Sequence, residues 1–133
     1  MALLQGLCSA ALKIGLAMFL AMSLSRPVAA ASDVISFRED IHPIIQIRCL
    51  ICHKPGGDGY EKSGLDLRTY NSLMKGTKFG PIVTPGDAFM SNFNVLIEGR
   101  ASRTIRMPHG KRKLTSCDIG LFRKWVNQGA QNN

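Results

Sequence analysis

Cys49-Leu50-Ile51-Cys52-His53 is the stretch on which the reading of this chain turns. Two thiols three residues apart, followed at once by an imidazole, make the pattern C-x-x-C-H, the mark of covalent haem c attachment. The spacing has a physical basis. Thiols so separated at a helix end reach the two vinyl groups along one side of a porphyrin. The next residue then lies below the plane, where an imidazole nitrogen meets the iron. Cys49 and Cys52 are therefore expected to carry thioether bonds to one haem c, with His53 as the proximal iron ligand. Three other uses compete. A thioredoxin-like redox pair calls for alternating strands and helices, which the flanks lack. A zinc site would take Cys49, Cys52 and His53 with His109, whereas structural zinc usually draws on two spaced pairs. A plain disulfide leaves His53 without a role.

Upstream, the sequence reads as an export leader. Ile14 to Leu24 is an unbroken run of apolar and small residues behind Lys13, broken by Ser25-Arg26-Pro27 and followed by Val28-Ala29-Ala30-Ala31. A basic start, a short apolar middle and a small-residue end are the three parts of a secretory signal peptide. The apolar run is too short for a spanning helix, which needs roughly twenty residues. Cleavage is expected after Ala30 or Ala31, leaving 32–133 as one monohaem domain in the periplasm or outside the cell, with no transmembrane helix. Cys8 departs with the leader, so Cys49, Cys52 and Cys117 remain, an odd set that argues against a disulfide framework.

The formal charge is +8, of which Lys13 and Arg26 in the leader supply two. The basic residues are scattered and carry no interleaved aromatic stripe, which speaks against nucleic acid. An acidic redox protein or a membrane oxidoreductase suits an exported basic protein better.

Hydrophobic spacing gives helices and no strand alternation, hence an all-α domain of three to five short helices with long loops. Ser36-Phe37-Arg38-Glu39 matches a capping box, but a start at Asp40 is preferred because it places Pro43 in the first turn. Residues 54–64 (KPGGDGYEKSG) read as a glycine-rich loop. Leu65 to Lys75 has Leu67, Tyr70, Leu73 and Met74 at helical spacing, and Phe79 to Asp87 reads as an extended segment. Ala88 to Glu98 is expected to be a helix with Phe89, Phe93, Leu96 and Ile97 on one side. Gly99 to Lys113 is a basic loop. The last helix is the clearest: Thr115 pairs with Asp118 as a cap, Ile119, Phe122, Trp125 and Val126 keep the spacing, and Gly129 ends it.

Electron-transferring haem takes a second axial ligand, usually Met or His. Met74 and Met90 fall on apolar helix faces, where methionine is core filler, and His42 lies on the helix before the motif. Met107 differs, because it precedes Pro108 in a charged loop that gives an apolar side chain no packing reason. It is the favoured distal ligand, with His109 as the alternative. Pro81 and Pro85 are candidates for placing a carbonyl on the His53 ring N–H.

Several motifs in order resemble one family: Asp40-Ile41-x-Pro43-Ile44, C-x-x-C-H, Gly64-Leu65-Asp66-Leu67, and Val83-Thr84-Pro85-Gly86-Asp87. The Met107-Pro108-His109-Gly110 loop follows, then Leu114, Ile119, Trp125-Val126 and Gly129-Ala130 at fixed spacing. Together, over about residues 36 to 131, they resemble the planctomycete-type cytochrome c domain, a branch of the class I monohaem cytochromes c. The resemblance implies Cys49 and Cys52 as thioether sites, His53 and Met107 as iron ligands, and packing of the first helix across the last. Two positions depart from it: His109 stands where a second proline is common, and Cys117 where an acidic residue is more frequent. Cys117 in the first turn of the last helix is a small side chain without a role, or else a link to a partner chain. The function expected is one-electron transfer between redox proteins, not catalysis. The alternative is a catalytic or sensing haem protein, peroxidase-like, with an exchangeable sixth ligand. Arg100, Arg103, Arg106, Lys111, Arg112 and Lys113 around Met107 are expected to form a docking face.

Overall fold

Ser36 opens the first helix of the computed structural model, which describes residues 34–133. The leader expected over residues 1–31 lies outside the described residues. The Ser36 hydroxyl accepts the Glu39 amide at 3.1 Å, and the Asp40 carboxylate accepts the Ser36 amide at 2.8 Å. The chain therefore turns helical at Phe37 and not at Asp40, because Asp40 completes the Ser36 cap instead of forming its own. The first turn, Phe37–Ile41, is π-helical and runs directly into α1, His42–Arg48. The Ile41 amide bonds to the Ser36 carbonyl and the His42 amide to that of Phe37, each five residues back. Pro43 has no amide to contribute, and α-helical bonding takes over beyond it.

The last helix, α5 (Ser116–Asn127), has the expected cap: Thr115 accepts the Asp118 amide at 3.1 Å, and Asp118 accepts that of Thr115 at 3.0 Å. Phe122, Trp125 and Val126 are fully buried; a buried side chain of phenylalanine's size contributes on the order of 1.5–3 kcal/mol. The Trp125 ring centroid lies 5.6 Å from that of Phe37 and 6.5 Å from that of Tyr70, so the first and last helical segments do pack together. Polar edges of this aromatic group are satisfied. The Trp125 indole donates to the Gln131 carbonyl at 2.9 Å, and the Tyr70 hydroxyl donates to that of Ala130 at 2.8 Å. The Phe37 amide donates to the Asn133 side chain at 2.8 Å and the Ile35 amide to that of Gln128 at 2.8 Å, which ties the end of the domain to its beginning.

Three short helices lie between: α2 (Asp58–Ser63), α3 (Tyr70–Lys75) and α4 (Asn92–Ile97). Helix α2 occupies the segment expected as loop. Helix α3 starts at Tyr70 and not at Leu65, because Thr69 caps it by accepting the Ser72 amide at 3.1 Å. Leu65 and Leu67 are buried in extended chain before that cap. Helix α4 starts late at Asn92, which leaves Phe89 and Met90 in a turn and exposed, not in the core as expected. The only β pairing among the described residues is the isolated bridge of Thr77 with Gly80, so the fold is all-α.

Glu98, just after α4, joins α4 to α5. Its side chain is only 7% exposed and accepts from Arg100 at 2.7 Å and from Arg123 at 3.1 Å. Burial alone would raise its carboxyl, but Arg123 and Arg100 outweigh burial and hold it below the ordinary range. A carboxylate depressed in the fold stabilises at neutral pH and loses that contribution as pH falls through the folded value. Glu98→Gln is expected to lower stability at pH 7 by about 1–2 kcal/mol in denaturant titrations. The deficit should shrink as pH drops below about 4.

Candidate functional site

Helix α1 ends at Arg48, and the chain turns tightly. The amides of Cys52 and His53 both return to the Cys49 carbonyl at 3.1 Å, which gathers two thiols and an imidazole on one turn. Both thiols are free and half-buried. Burial pushes the Cys49 thiol up to about 11 against the opposing pull of Arg48. Downstream chain fixes the turn from outside: the Tyr60 amide donates to the Cys52 carbonyl at 2.8 Å, and the Leu67 amide to that of His53 at 2.9 Å.

Two glycines allow α2 to sit this close. A Cβ on Gly57 would stand 2.6 Å from the Cys52 carbonyl oxygen, and one on Gly59 would stand 2.8 Å from His53 Cε1. Overpacking at such a contact costs about 1–3 kcal/mol. Gly59→Ala is expected to cost that much in denaturant titrations of the holoprotein. It should also shift the NMR signals of the His53 ring, because the ring is what must move.

His53 is half-buried, and burial lowers its pKa below the ordinary histidine value. The Leu65 backbone pulls the other way from just beyond hydrogen-bond geometry, and Nδ1 is buried without a partner. Neither Pro81 nor Pro85 supplies the carbonyl expected there, and Pro81 is exposed. His42 is bound elsewhere, its Nε2 lying 3.1 Å from the Arg68 carbonyl and its ring 5.5 Å from that of Phe37.

Met107 is half-buried against the hydrophobic core, as are Cys49 and Met74. Its amide donates to the Leu96 carbonyl at 3.2 Å, and its peptide bond to Pro108 is cis. His109, two residues on, is exposed, as is Cys117. The basic loop is divided, and two of its six cations are bonded back onto the protein. Arg100 pairs with Glu98 and donates to the Phe89 carbonyl at 2.9 Å, while Arg106 donates to that of Ala101 at 2.9 Å. Turn carbonyls on either side of α4 accept them. Arg103, Lys111, Arg112 and Lys113 are exposed and form no ion pair among the described residues.

Three features of the site escaped the sequence reading. Gly59 was legible only as loop composition. Arg48, half-buried beside Cys49, donates through Nη2 to the carbonyls of Arg112 and Lys113 at 2.6 and 3.1 Å. Nothing in the residue order announces that bond. Asn94 is fully buried, with neither amide atom partnered by protein; its place on α4 beside Phe93 looked merely polar.

Residues 49–109 match the family model described as Planctomycete cytochrome C. Over these residues the chain reads as a planctomycete cytochrome c domain. No curated protein and no solved structure matched it. A cytochrome c domain is a haem-binding domain, and the Cys49–Cys52 spacing suits covalent attachment. The groups present in this cytochrome c domain fit such a cofactor. The thiols are unbridged and share one turn with the His53 imidazole, whose Nδ1 is buried without a protein partner. The zinc alternative lacks support, since no three His, Cys, Asp or Glu side chains converge as a metal site among the described residues. No helix among them is long and apolar enough to cross a membrane.

Proposed function

We propose that this cytochrome c domain carries one covalent haem and passes one electron at a time between redox proteins in the periplasm. The observation that carries the proposal is the single turn presenting two free thiols and the half-buried His53 inside a cytochrome c domain. Cys49 and Cys52 would form the thioethers, His53 would be the proximal ligand, and Met107 the distal one. Met107 is supported by its half-buried place in a loop that its amide bond to Leu96 holds against α4. His109 is the less favoured alternative because it is exposed. Haem supplies the redox chemistry; the chain's part is to hold the ligands, limit water and set the local polarity. With His53 and Met107 both holding the iron, no open site would remain for peroxide, which favours a carrier over an enzyme. Residues 1–31 read as the leader that would deliver the domain for export.

The deciding experiment is spectroscopic. Oxidised protein is expected to be low-spin with a weak band near about 695 nm, and reduced protein is expected not to bind carbon monoxide. High-spin haem that binds added ligands and turns over peroxide would overturn the carrier reading.

The exposed, unpaired Arg103, Lys111, Arg112 and Lys113 support docking to an acidic partner. Electrostatic steering of this kind is screened by salt. Stopped-flow electron transfer to an acidic redox protein is expected to slow roughly tenfold or more between low and physiological ionic strength. A rate indifferent to salt would remove the docking face.

A further inference from the structure

The bond from Arg48 to the basic loop joins two parts of the site that the sequence keeps far apart. Arg48 immediately precedes Cys49, on the side of the domain where haem would be attached. Its Nη2 reaches the backbone carbonyls of Arg112 and Lys113, a few residues past Met107, at 2.6 and 3.1 Å. The loop has little else to hold it there. Across residues 108–113 the one backbone–backbone hydrogen bond among the described residues is from the Lys111 amide to the Pro108 carbonyl, at the outer limit of 3.5 Å. The nearest anchors are the Met107 amide on Leu96 before the stretch and the buried Leu114 after it. The side chains of Lys111, Arg112 and Lys113 point to solvent and would repel one another. A cation donating to two carbonyls in their midst needs a strong reason to be there. Two charge-assisted bonds from one guanidinium provide it.

We infer that Arg48 is a positioning residue: it clamps the 107–113 loop to the thiol-bearing turn and so keeps the distal ligand on the iron. The inference rests on the proposed haem site. It goes beyond that proposal in assigning the stability of the distal side to a residue on the opposite side. Loss of the clamp would hand both carbonyls to solvent and leave the loop free to lift. Added imidazole would then compete with the distal ligand more easily. A charge-assisted bond of this type corresponds to about tenfold or more in an equilibrium.

The test uses full-length holoprotein and three variants: Arg48→Gln, Arg48→Lys and Arg112→Gln. The last removes a neighbouring charge but leaves the backbone carbonyl in place. Two readouts are taken. Imidazole titration of the oxidised protein, followed by absorption, is expected to tighten about tenfold in Arg48→Gln, less in Arg48→Lys and not at all in Arg112→Gln. Limited trypsin digestion is expected to cut after Arg112 and Lys113 about tenfold faster in Arg48→Gln, since the clamped carbonyls belong to those scissile bonds. Unchanged imidazole affinity in Arg48→Gln overturns the inference, and so does an equal effect from Arg112→Gln, which would make charge and not the clamp responsible. The wild-type spectrum separates this from the ligand assignment. A missing band near about 695 nm removes Met107 as ligand, while imidazole competition and trypsin still decide whether Arg48 holds the loop.

Discussion

A Cys49→Ser, Cys52→Ser double variant is expected to yield protein from which acidified organic solvent strips every haem, whereas wild-type protein keeps its haem through denaturation and gel electrophoresis. The thioether is a carbon–sulfur bond, and a hydroxyl in place of the thiol has no comparable addition to a vinyl group. The effect is all or none, visible as haem stain on a denaturing gel and as a mass increment in the intact protein. Covalent haem in the double variant would refute the assignment of both thiols. The single variants sharpen it further: each is expected to keep one linkage and to shift the reduced absorption maximum, because one vinyl group stays conjugated with the ring.

Met107→Ala is the second large effect. If Met107 is the distal ligand, the band near about 695 nm disappears and the midpoint potential falls by on the order of 0.1 V, a fraction of the ≈ 0.8 V over which axial ligands set haem potentials. Reduced protein should then bind carbon monoxide, which the wild type is expected to exclude. His109→Ala is expected to leave all three properties unchanged. The opposite pattern, with His109→Ala altering spectrum and potential and Met107→Ala silent, would exchange the two assignments. His109 is exposed and Met107 half-buried against the core, so the methionine starts with less ordering to do on coordination.

The parts of this domain legible in the sequence are those specified locally. The C-x-x-C-H pattern of Cys49, Cys52 and His53, which lies inside the stretch the family model matches, is read from spacing within one turn. The last helix is read from a capping pair, an apolar stripe and a terminal glycine, each within a turn or two of its partner. What was misread depends on distant contact. Helix α2 looks like loop because its glycines have poor helix propensity. It forms where Gly57 and Gly59 pack on the backbone of Cys52 and the ring of His53, a gain no local rule includes. The start of the first helix was misplaced for a subtler reason. Ser36 and Asp40 are both good caps, and only the observed bond between them shows that one serves the other. Phe89 was expected in the core on helical spacing; the helix begins three residues too late to carry it there. Arg48 and Asn94 were beyond reach, since a cation that reaches back across the fold and an amide sealed inside it resemble ordinary surface residues in a linear text.

The thiol of Cys49 has a consequence for when this protein can be made. Folded, it is half-buried and held protonated well past neutral pH, with the turn beneath it closed by the Tyr60 and Leu67 amides. A protonated thiol is a poor nucleophile. If Cys49 carries haem as proposed, a chain that folds first would hold the reacting thiol protonated and half-buried, so bond formation would be favoured before the 54–67 segment closes.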